Sequence, residues 1–559
     1  DTIYAGSGDD TLFGGAGNDH LDGGNDIDTV SYEDKTIAVT VDFKTALATT
    51  SIETDKLVEI ENAIGGSAKD TFKMNEDNVT NIINGKGDTD TVSYENYVTS
   101  GVRVNLSTIV AQTIVVGTTP DIDTILEIEN IIGSTKDDII IGSTGANTIF
   151  SGAGYDTFIA GTDTDNNGTL DVWADDGADY FDGQDGTNDW VDYSIILDDA
   201  TPSTYGIQVT LDGANESDVT VRGQTGVDKI LNVENVKGTY DKDSIKGDIQ
   251  NNSILGLDGD DILLGEGGKD RLYGGLGTDQ LFGGSGDDTL VGDEGDDTLL
   301  GGVGSDKIYG GSETADSGTD TVNYSDALES IKIDLDLSLA GGLDDVDVTI
   351  EGKSIGSTGD AGQGIDELYG IENVIGSNYT ADNIYGSNSK NIIISQAYDD
   401  YIEARDGDDT VITGTGNDTI VASSASDGVD YYDGGTGSDL LDYSALNSSI
   451  SIDLSVTATH DFDGVGGNDS WQVIVSGGNN DIIKDIENII GGSANDIIIS
   501  NSIANEIQGA GGEDTLSGNG GNDSIYGYLK GETESTTEND TVTYQYSGTS
   551  VTVNLTTEV

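Results

Sequence analysis

Aspartates that recur every nine residues are the side chains in this sequence best suited to chemistry. Between residues 265 and 309, five consecutive nonapeptides follow the pattern G-G-x-G-x-D-x-U-x, where U is a large apolar residue. The aspartates at the sixth position of these blocks are Asp270, Asp279, Asp288, Asp297 and Asp306. Carboxylates and the carbonyl oxygens of a tight turn are hard oxygen ligands, which suit Ca²⁺. The spacing therefore predicts a row of calcium sites along the chain.

The same pattern indicates the elements that must position these carboxylates. Glycine allows positive φ and close approach of the backbone, so the first six residues can form a tight turn. The last three residues are long enough for one short strand, in which U points to one face. Two blocks then make one coil, and stacked coils lie about 4.8 Å apart. We predict an all-β fold, a calcium-stabilised parallel β-roll or β-helix solenoid with ions between successive turns.

The register extends well beyond the central run. Further blocks begin at Ala5, Gly14, Gly23, Gly133, Gly142, Ser151, Gly256, Ala404, Thr413, Gly491, Ser500, Gly509 and Gly518. The other aspartates that we predict as calcium ligands are Asp10, Asp19, Asp28, Asp90, Asp138, Asp156, Asp261, Asp320, Asp409, Asp418, Asp439, Asp496, Asp514, Asp523 and Asp540. The blocks that begin at Gly238 and Gly247 keep the apolar position but lack most of the ligand set, so we expect apolar-only coils there.

An acidic loop outside the nonapeptides has a different spacing. Its sequence follows D-x-D-x-N-G-x-x-D, which matches the first nine positions of an EF-hand loop. The twelfth position is Ala174 rather than Glu, and no flanking helices are evident. We predict an isolated calcium loop with Asp163, Asp165, Asn167 and Asp171 as ligands. The alternative is an acidic surface insert.

A longer module is superimposed on the nonapeptides. Each run ends in D-T-V-x-Y, as at residues 28–32, and an alternating strand follows, as at residues 102–106. An I/V-E-N-x-x-G segment closes the module at Glu61, Glu129, Glu234, Glu372 and Glu487. We interpret this segment as structural, with a binding role for the glutamate as the alternative. The predicted modules are residues 1–64, 65–132, 133–237, 238–375, 376–490 and 491–559, in one continuous solenoid that is cut through a module at both ends.

The nonapeptides resemble the RTX-type repeats of bacterial proteins exported by type I secretion. The segments at residues 60–67 and 486–493 are similar to part of the C-terminal β-roll of serralysin-type proteases, and modules of alginate epimerases and large surface proteins are also similar. The resemblance implies many calcium ions as cofactors and a secreted, extracellular or cell-surface location. It also implies an uncleaved C-terminal export signal, which is not identifiable in the sequence. The calcium-poor cytosol would keep the chain unfolded, and the exterior would fold it.

Composition supports a strong dependence on cations. Acidic residues outnumber basic ones by 105 to 22, which gives a formal net charge of −83. Such a glycine-rich polyanion repels itself and should be expanded without metal. Calcium binding and folding are therefore expected to form one equilibrium.

Other chemistries are poorly supported by the sequence. Cysteine is absent, which excludes disulfides and thiolate sites. No apolar run approaches the ~18 residues of a membrane span, and nucleic acid is a poor partner for so acidic a chain. The only histidines are His20 and His460, and neither H-E-x-x-H nor G-x-S-x-G occurs, so we predict no enzymatic activity.

These observations favour an extracellular structural or adhesive rod, such as part of a surface layer, adhesin, sheath or fibre. One alternative is the accessory region of a secreted hydrolase or epimerase whose catalytic domain lies outside this chain. Ice binding is a third reading, but only residues 413–418 carry the threonine and asparagine pattern that it needs. The predicted partner is calcium. Copies of the chain, through end-to-end or lateral assembly, and a cell-surface or carbohydrate anchor are further candidates.

Overall fold

The computed structural model divides the chain into two compact units, Asp1–Gly283 and Gly284–Val559. It describes residues 1–77, 79–107, 112–113, 122–143, 145–160, 178–194, 206–221, 226–312, 318–335, 346–350, 364–422, 428–455, 473–475, 481–530 and 539–544. Across these ranges the chain consists of short strands joined by turns and bends, without helix. Most strand pairs within each unit are parallel, which confirms the predicted fold class.

The strands are two to six residues long. In the first unit they are β1 (Thr2–Ser7), β2 (Thr11–Leu12), β3 (His20–Asn25), β4 (Thr29–Ser31), β5 (Thr40–Asp42), β6 (Leu47–Thr49), β7 (Thr54–Val58), β8 (Asn62–Ile64), β9 (Thr71–Lys73), β10 (Ile82–Asn84), β11 (Thr91–Ser93), β12 (Arg103–Asn105), β13 (Gln112–Thr113), β14 (Ile122–Leu126), β15 (Asn130–Ile132), β16 (Ile139–Ile141), β17 (Thr148–Phe150), β18 (Thr157–Ile159), β19 (Tyr180–Asp182), β20 (Trp190–Asp192), β21 (Ile207–Thr210), β22 (Ser217–Val221), β23 (Asp228–Leu231), β24 (Asn235–Lys237), β25 (Ser244–Lys246), β26 (Ser253–Asp258), β27 (Ile262–Gly267), β28 (Arg271–Leu276) and β29 (Gln280–Ser285). In the second unit they are β30 (Thr289–Glu294), β31 (Thr298–Val303), β32 (Lys307–Tyr309), β33 (Thr321–Asn323), β34 (Ile331–Asp334), β35 (Val346–Ile350), β36 (Ile365–Tyr369), β37 (Asn373–Ile375), β38 (Asn383–Tyr385), β39 (Ile392–Ile394), β40 (Tyr401–Glu403), β41 (Thr410–Ile412), β42 (Thr415–Gly416), β43 (Thr419–Val421), β44 (Tyr431–Asp433), β45 (Thr436–Gly437), β46 (Leu440–Asp442), β47 (Ile450–Asp453), β48 (Val473–Val475), β49 (Ile482–Lys484), β50 (Asn488–Ile490), β51 (Ile497–Ile499), β52 (Glu506–Gln508), β53 (Thr515–Ser517), β54 (Ser524–Tyr526) and β55 (Thr541–Val542).

The strand register follows from the nonapeptide. In the first unit β1 pairs with β3 and β26 pairs with β28, in each case with partners 18 residues apart. In the second unit β38 pairs with β40, and β51 with β53, at the same offset. Two nine-residue blocks therefore complete one coil, and each strand lies on its equivalent in the next coil.

The core is a stack of the U residues. Leu263 and Leu272 in the first unit, and Leu290 and Ile308 in the second, have no exposed surface. Their neighbours in each strand are less buried, because successive side chains of a strand point to opposite faces. Full burial of one such side chain stabilises the fold by about 1.5–3 kcal/mol. The apolar position thus holds the turns in place on either side of it.

The modules also contain antiparallel strands that the nonapeptide pattern did not predict. The alternating strand β5 pairs in parallel with β9 but antiparallel with β6, and β6 pairs antiparallel with β7. The strands β21, β22 and β23 repeat this arrangement, and so do β34, β35 and β36 in the second unit. The middle strands differ in sequence between modules, which is why no repeat revealed them. Each hairpin returns the chain to the coil stack.

Candidate metal centres along the turn ladder

Glycines give the turns a shape that other residues would obstruct. Gly275 has φ of +119°, and an added Cβ there would collide with the carbonyl oxygen of Leu257 in the preceding coil. The turns of successive coils therefore lie directly against one another. This close stacking brings backbone carbonyl oxygens and aspartate side chains together along one edge.

The aspartates at the sixth position form a hydrogen-bond ladder within each unit. The Oδ1 atom of Asp261 accepts the backbone N–H of Asp243 at 2.7 Å, and Asp279 accepts from Asp261 at 2.7 Å. In the second unit Asp306 accepts from Asp288 at 2.8 Å. Each carboxylate is thus fixed by the equivalent residue one coil earlier, 18 residues away in all three pairs.

The second carboxylate oxygen, Oδ2, has a different environment from Oδ1. The Oδ2 atoms that are buried and accept no hydrogen bond from the protein include those of Asp19, Asp28, Asp90, Asp189, Asp261, Asp306 and Asp439. A buried acceptor without a partner costs about 1–3 kcal/mol, and more when it is charged. A bound cation or a proton on these oxygens would remove this cost.

A backbone oxygen faces the same space. A Cβ built on Gly256 would lie 2.7 Å from the carbonyl oxygen of Gly274 and closer still to Oδ2 of Asp261. The glycine at the first position of the block is therefore flanked by one carboxylate oxygen and one carbonyl oxygen from the next coil. Gly292 is flanked in the same way by Asp297 and Gly310. Hard oxygens of both kinds are what Ca²⁺ accepts.

Burial and charge both disfavour the ionised carboxylates. The pKa of Asp261 is raised to about 9, first by burial and then by the neighbouring charges of Asp243 and Asp279. Burial and the charge of Asp366 raise the pKa of Asp306 to about 8. Bound calcium supplies the positive charge that keeps such groups ionised.

The centre is not a side-chain cage. Within the described ranges, no group of three or more His, Cys, Asp or Glu side chains is arranged to hold a metal ion. One carboxylate per turn and the carbonyl oxygens of stacked turns are the available donors. This donor set fits calcium, which takes many oxygen ligands including backbone carbonyls, better than it fits zinc.

Most of the predicted ligands lie on this ladder. The buried ones are Asp19, Asp28, Asp90, Asp138, Asp156, Asp261, Asp270, Asp279, Asp288, Asp297, Asp306, Asp320, Asp409, Asp418, Asp439, Asp496 and Asp514. Asp10, Asp523 and Asp540 are half-buried. The acidic loop with Asp163, Asp165, Asn167 and Asp171 lies outside the described residues, and its calcium site stays a prediction.

Two of the predicted ligands have their second oxygen occupied. Oδ2 of Asp138 accepts the backbone N–H of Ser134 at 2.6 Å, and Oδ2 of Asp496 accepts that of Gly492 at 2.7 Å. Each of these carboxylates therefore binds a backbone N–H of its own turn, four residues earlier in the chain.

The sequence pattern missed several aspartates on the same ladder. Asp55 accepts the N–H of Asp19 at 2.9 Å, and Asp366 accepts that of Asp306 at 2.9 Å. The further buried aspartates at ladder positions that were not predicted are Asp70, Asp123, Asp179, Asp189, Asp228, Asp243, Asp382, Asp400, Asp430 and Asp481. Most stand outside glycine-rich blocks, but each is followed two residues later by a buried apolar or aromatic residue. The shorter pattern D-x-U would have found them, including Asp243 in a coil expected to be apolar only.

Stacked nonapeptide coils with carboxylate and carbonyl oxygens on their turns define a calcium-binding parallel β-roll. The sequence profile of the RTX calcium-binding nonapeptide repeat matches residues 1–30, 127–165, 246–281, 282–313, 385–420 and 500–529. The chain therefore carries multiple RTX calcium-binding nonapeptide repeats, and these bind calcium ions. Repeats of this kind are typical of secreted proteins. The comparison with curated proteins finds no match.

A helix with the length and apolar character to cross a bilayer is not found in the part of the chain that the structure describes.

Proposed function

We propose that this chain is a non-catalytic, calcium-dependent structural or adhesive segment of an extracellular protein, and that it folds on meeting calcium outside the cell. The observation that carries the proposal is the ladder of buried carboxylates whose second oxygens accept no hydrogen bond from the protein. Repetition of one donor set over many coils suits a role in which many ions stabilise the stacked coils of each unit. A catalytic role would instead require one cluster of reactive side chains that differs from the repeated donor set.

The expected energetics support this role. Extracellular calcium modules bind with Kd around 10⁻⁴–10⁻³ M, so about 1 mM calcium contributes only about 0.4–1.4 kcal/mol for each ion. One site is therefore weak, but sites that open together add their contributions. The formal charge of −83 opposes the fold until those ions bind.

Mechanical resistance follows from the same construction. Each coil contacts its neighbours through parallel strand pairs, as in β25 with β27 and β39 with β41, and through the carboxylate ladder. Force along the stack is shared by these repeated contacts. Such a segment can present a binding surface at a distance or form part of a surface layer.

The test is a calcium titration of the full chain followed by far-UV circular dichroism and small-angle X-ray scattering, with magnesium as the matched control ion. We expect an expanded, β-poor chain in chelator and a cooperative gain of β signal near millimolar calcium. Pulling single molecules in calcium and in chelator then tests the mechanical role, with resistance to extension expected only in calcium. Equal β signal and equal radius in chelator and in calcium would rule the proposal out.

Location is tested separately. An antibody raised against the chain should label intact producing cells or the culture medium, and protease added outside the cells should remove that signal. A signal that needs permeabilised cells contradicts an extracellular role.

A further inference from the structure

The I/V-E-N segments contact the D-T-V-x-Y segments through an arrangement that recurs in both units. The glutamate takes the place of a ladder aspartate, because its Oε2 accepts the backbone N–H of the first residue of D-T-V-x-Y or its variants at 2.7–2.9 Å. The glutamates and their donors are Glu61 with Asp28, Glu129 with Asp90, Glu234 with Asp189, Glu372 with Asp320, and Glu487 with Asp439. We call each such place a junction.

One coil further on, an asparagine stands at the ladder position. Its Nδ2 donates to the carbonyl oxygen of the junction glutamate, at 2.8 Å for Asn252 and Glu234 and at 2.6 Å for Asn505 and Glu487. The other such pairs are Asn81 with Glu61, Asn147 with Glu129, and Asn391 with Glu372. An aspartate could not make this contact, because a carboxylate has no hydrogen to donate.

The asparagine of I/V-E-N also takes the place of a backbone hydrogen-bond acceptor. In an ordinary coil the residue after the ladder aspartate donates its N–H to the backbone of the preceding coil, as Ile262 does to Asp243 at 3.0 Å. At the junction Ser253 donates instead to Oδ1 of Asn235 at 2.8 Å. In the coil that follows each junction glutamate, a side-chain amide thus replaces this backbone contact, which gives this asparagine a more specific role than a turn preference.

A tyrosine hydroxyl occupies a second carboxylate oxygen near each of four junctions. The last residue of D-T-V-x-Y or its variants donates to Oδ2 of a ladder aspartate at 2.9–3.2 Å. These pairs are Tyr32 with Asp55, Tyr193 with Asp228, Tyr324 with Asp366, and Tyr443 with Asp481. In the coil of Asp261 the same oxygen accepts no hydrogen bond from the protein.

We propose that the ladder positions on the C-terminal side of each junction are metal-independent clamps, in which amide, hydroxyl and backbone donors hold the oxygens that calcium holds in the nonapeptide coils. The aspartate that opens D-T-V-x-Y or its variants is not part of the clamp, because Oδ2 of Asp28, Asp90, Asp189 and Asp439 accepts no hydrogen bond from the protein and stays available to calcium. Calcium binding is then divided into blocks bounded by clamps. The clamped coils stay folded at calcium concentrations that are too low to keep the nonapeptide run folded. This holds whatever the whole protein does, since it depends only on how each coil satisfies its own oxygens.

The experiment is hydrogen–deuterium exchange of the full chain, read peptide by peptide over a series of free calcium concentrations. Amides of residues 228–255 should lose protection at a calcium concentration at least about fivefold lower than amides of residues 260–283. Loss of protection in both regions at one shared midpoint would overturn the proposal.

Two reciprocal variants sharpen this comparison. Asn252→Asp removes the amide donor and adds a charge, so the midpoint of its own region should rise to that of the nonapeptide run. Asp261→Asn supplies a donor in an ordinary coil and should lower the midpoint there. If Asn252→Asp does not fold, Asn391→Asp in the second unit, where the amide oxygen likewise accepts a backbone N–H, and the wild-type exchange profile still decide. Unchanged local midpoints in both reciprocal variants contradict the proposal.

A third variant distinguishes a clamp from an additional metal site. Glu234→Gln keeps an oxygen acceptor for the backbone N–H of Asp189, so the number of calcium ions bound, measured by native mass spectrometry, should not change. Loss of an ion would show that the glutamate is a ligand and would overturn the metal-independent assignment.

Discussion

Replacing Gly256 with alanine tests whether the two oxygens beside this glycine hold calcium. The new methyl group would lie 2.7 Å from the carbonyl oxygen of Gly274 and closer to Oδ2 of Asp261, so one of these oxygens must move. The φ of Gly256 is not in the left-handed region, and the backbone itself therefore accepts alanine. The change is confined to the oxygen pair.

The expected magnitude follows from the crowding. Overpacking of a filled site costs about 1–3 kcal/mol. If local opening releases two ions, a cost of about 2 kcal/mol raises the half-saturating calcium concentration about fivefold, because each ion then carries about 1 kcal/mol. Exchange protection of the peptide around Leu263, followed through a calcium titration, measures this shift directly.

A matched control is available at Gly145. A Cβ there meets no atom within 4 Å, so Gly145→Ala changes the same residue type without touching the ladder. Its calcium midpoint should stay at the wild-type value or fall slightly, since alanine restricts the unfolded chain. A Gly256→Ala variant whose local midpoint matches that of this control would refute the assignment of the oxygen pair.

Further outcomes are expected at four other places. Leu272→Ala removes a fully buried side chain and should lower the unfolding free energy at saturating calcium by about 2–5 kcal/mol, whereas Ile249→Ala, at 88% exposure, should change it little in thermal denaturation. Tyr193→Phe leaves a buried carboxylate oxygen without its hydroxyl donor and should cost about 1–3 kcal/mol in the same assay; an unchanged melting temperature would contradict the clamp. Burial raises the pKa of Asp261 to about 9, against ~3.9 when unfolded, so protonation stabilises the calcium-free fold fully below about pH 4, and this stabilisation is lost as the pH rises towards 9. Circular dichroism in calcium-depleted buffer should therefore show more β structure at pH 4 than at pH 8, and equal spectra would speak against it. Asp163→Asn should remove one bound calcium ion by native mass spectrometry, and an unchanged count would favour the acidic surface insert.

The nonapeptide determines what could be predicted from the sequence. A large apolar residue at every ninth position and glycines before it specify a two-strand coil, and the 18-residue offset between Ser253 and Arg271 follows without further information. The ladder aspartates of the glycine-rich blocks were found for the same reason. The nonapeptide pattern missed Asp55 and Asp366 because the strands before them belong to hairpins, where no glycine-rich turn precedes the ladder position.

The junctions could not be derived from spacing at all. The glutamate of I/V-E-N is one methylene longer than aspartate, and the chain reaches it after a residue in the left-handed region, such as Glu127 at φ of 51° or Asp485 at φ of 48°. Whether that glutamate binds metal or a backbone N–H depends on this local path. Only the structure shows that its Oε2 meets the N–H of the D-T-V-x-Y segment.

Two ladder aspartates one coil apart show what sets the dependence on calcium. Asp243 and Asp261 are equally buried. The carboxylate of Asp243 accepts the N–H of Ile207 at 2.7 Å and both the N–H and the hydroxyl of Thr239, at 2.7 and 3.0 Å. Burial raises its pKa only to about 6, whereas Asp261, with one such donor, reaches about 9. Depth therefore does not distinguish the two coils. The donors that the protein itself supplies, together with the like charges of neighbouring ladder aspartates, determine which carboxylates need a cation from solution. At the second position of the block, Thr239 supplies two of these donors to Asp243, and Leu257 stands at the equivalent position before Asp261.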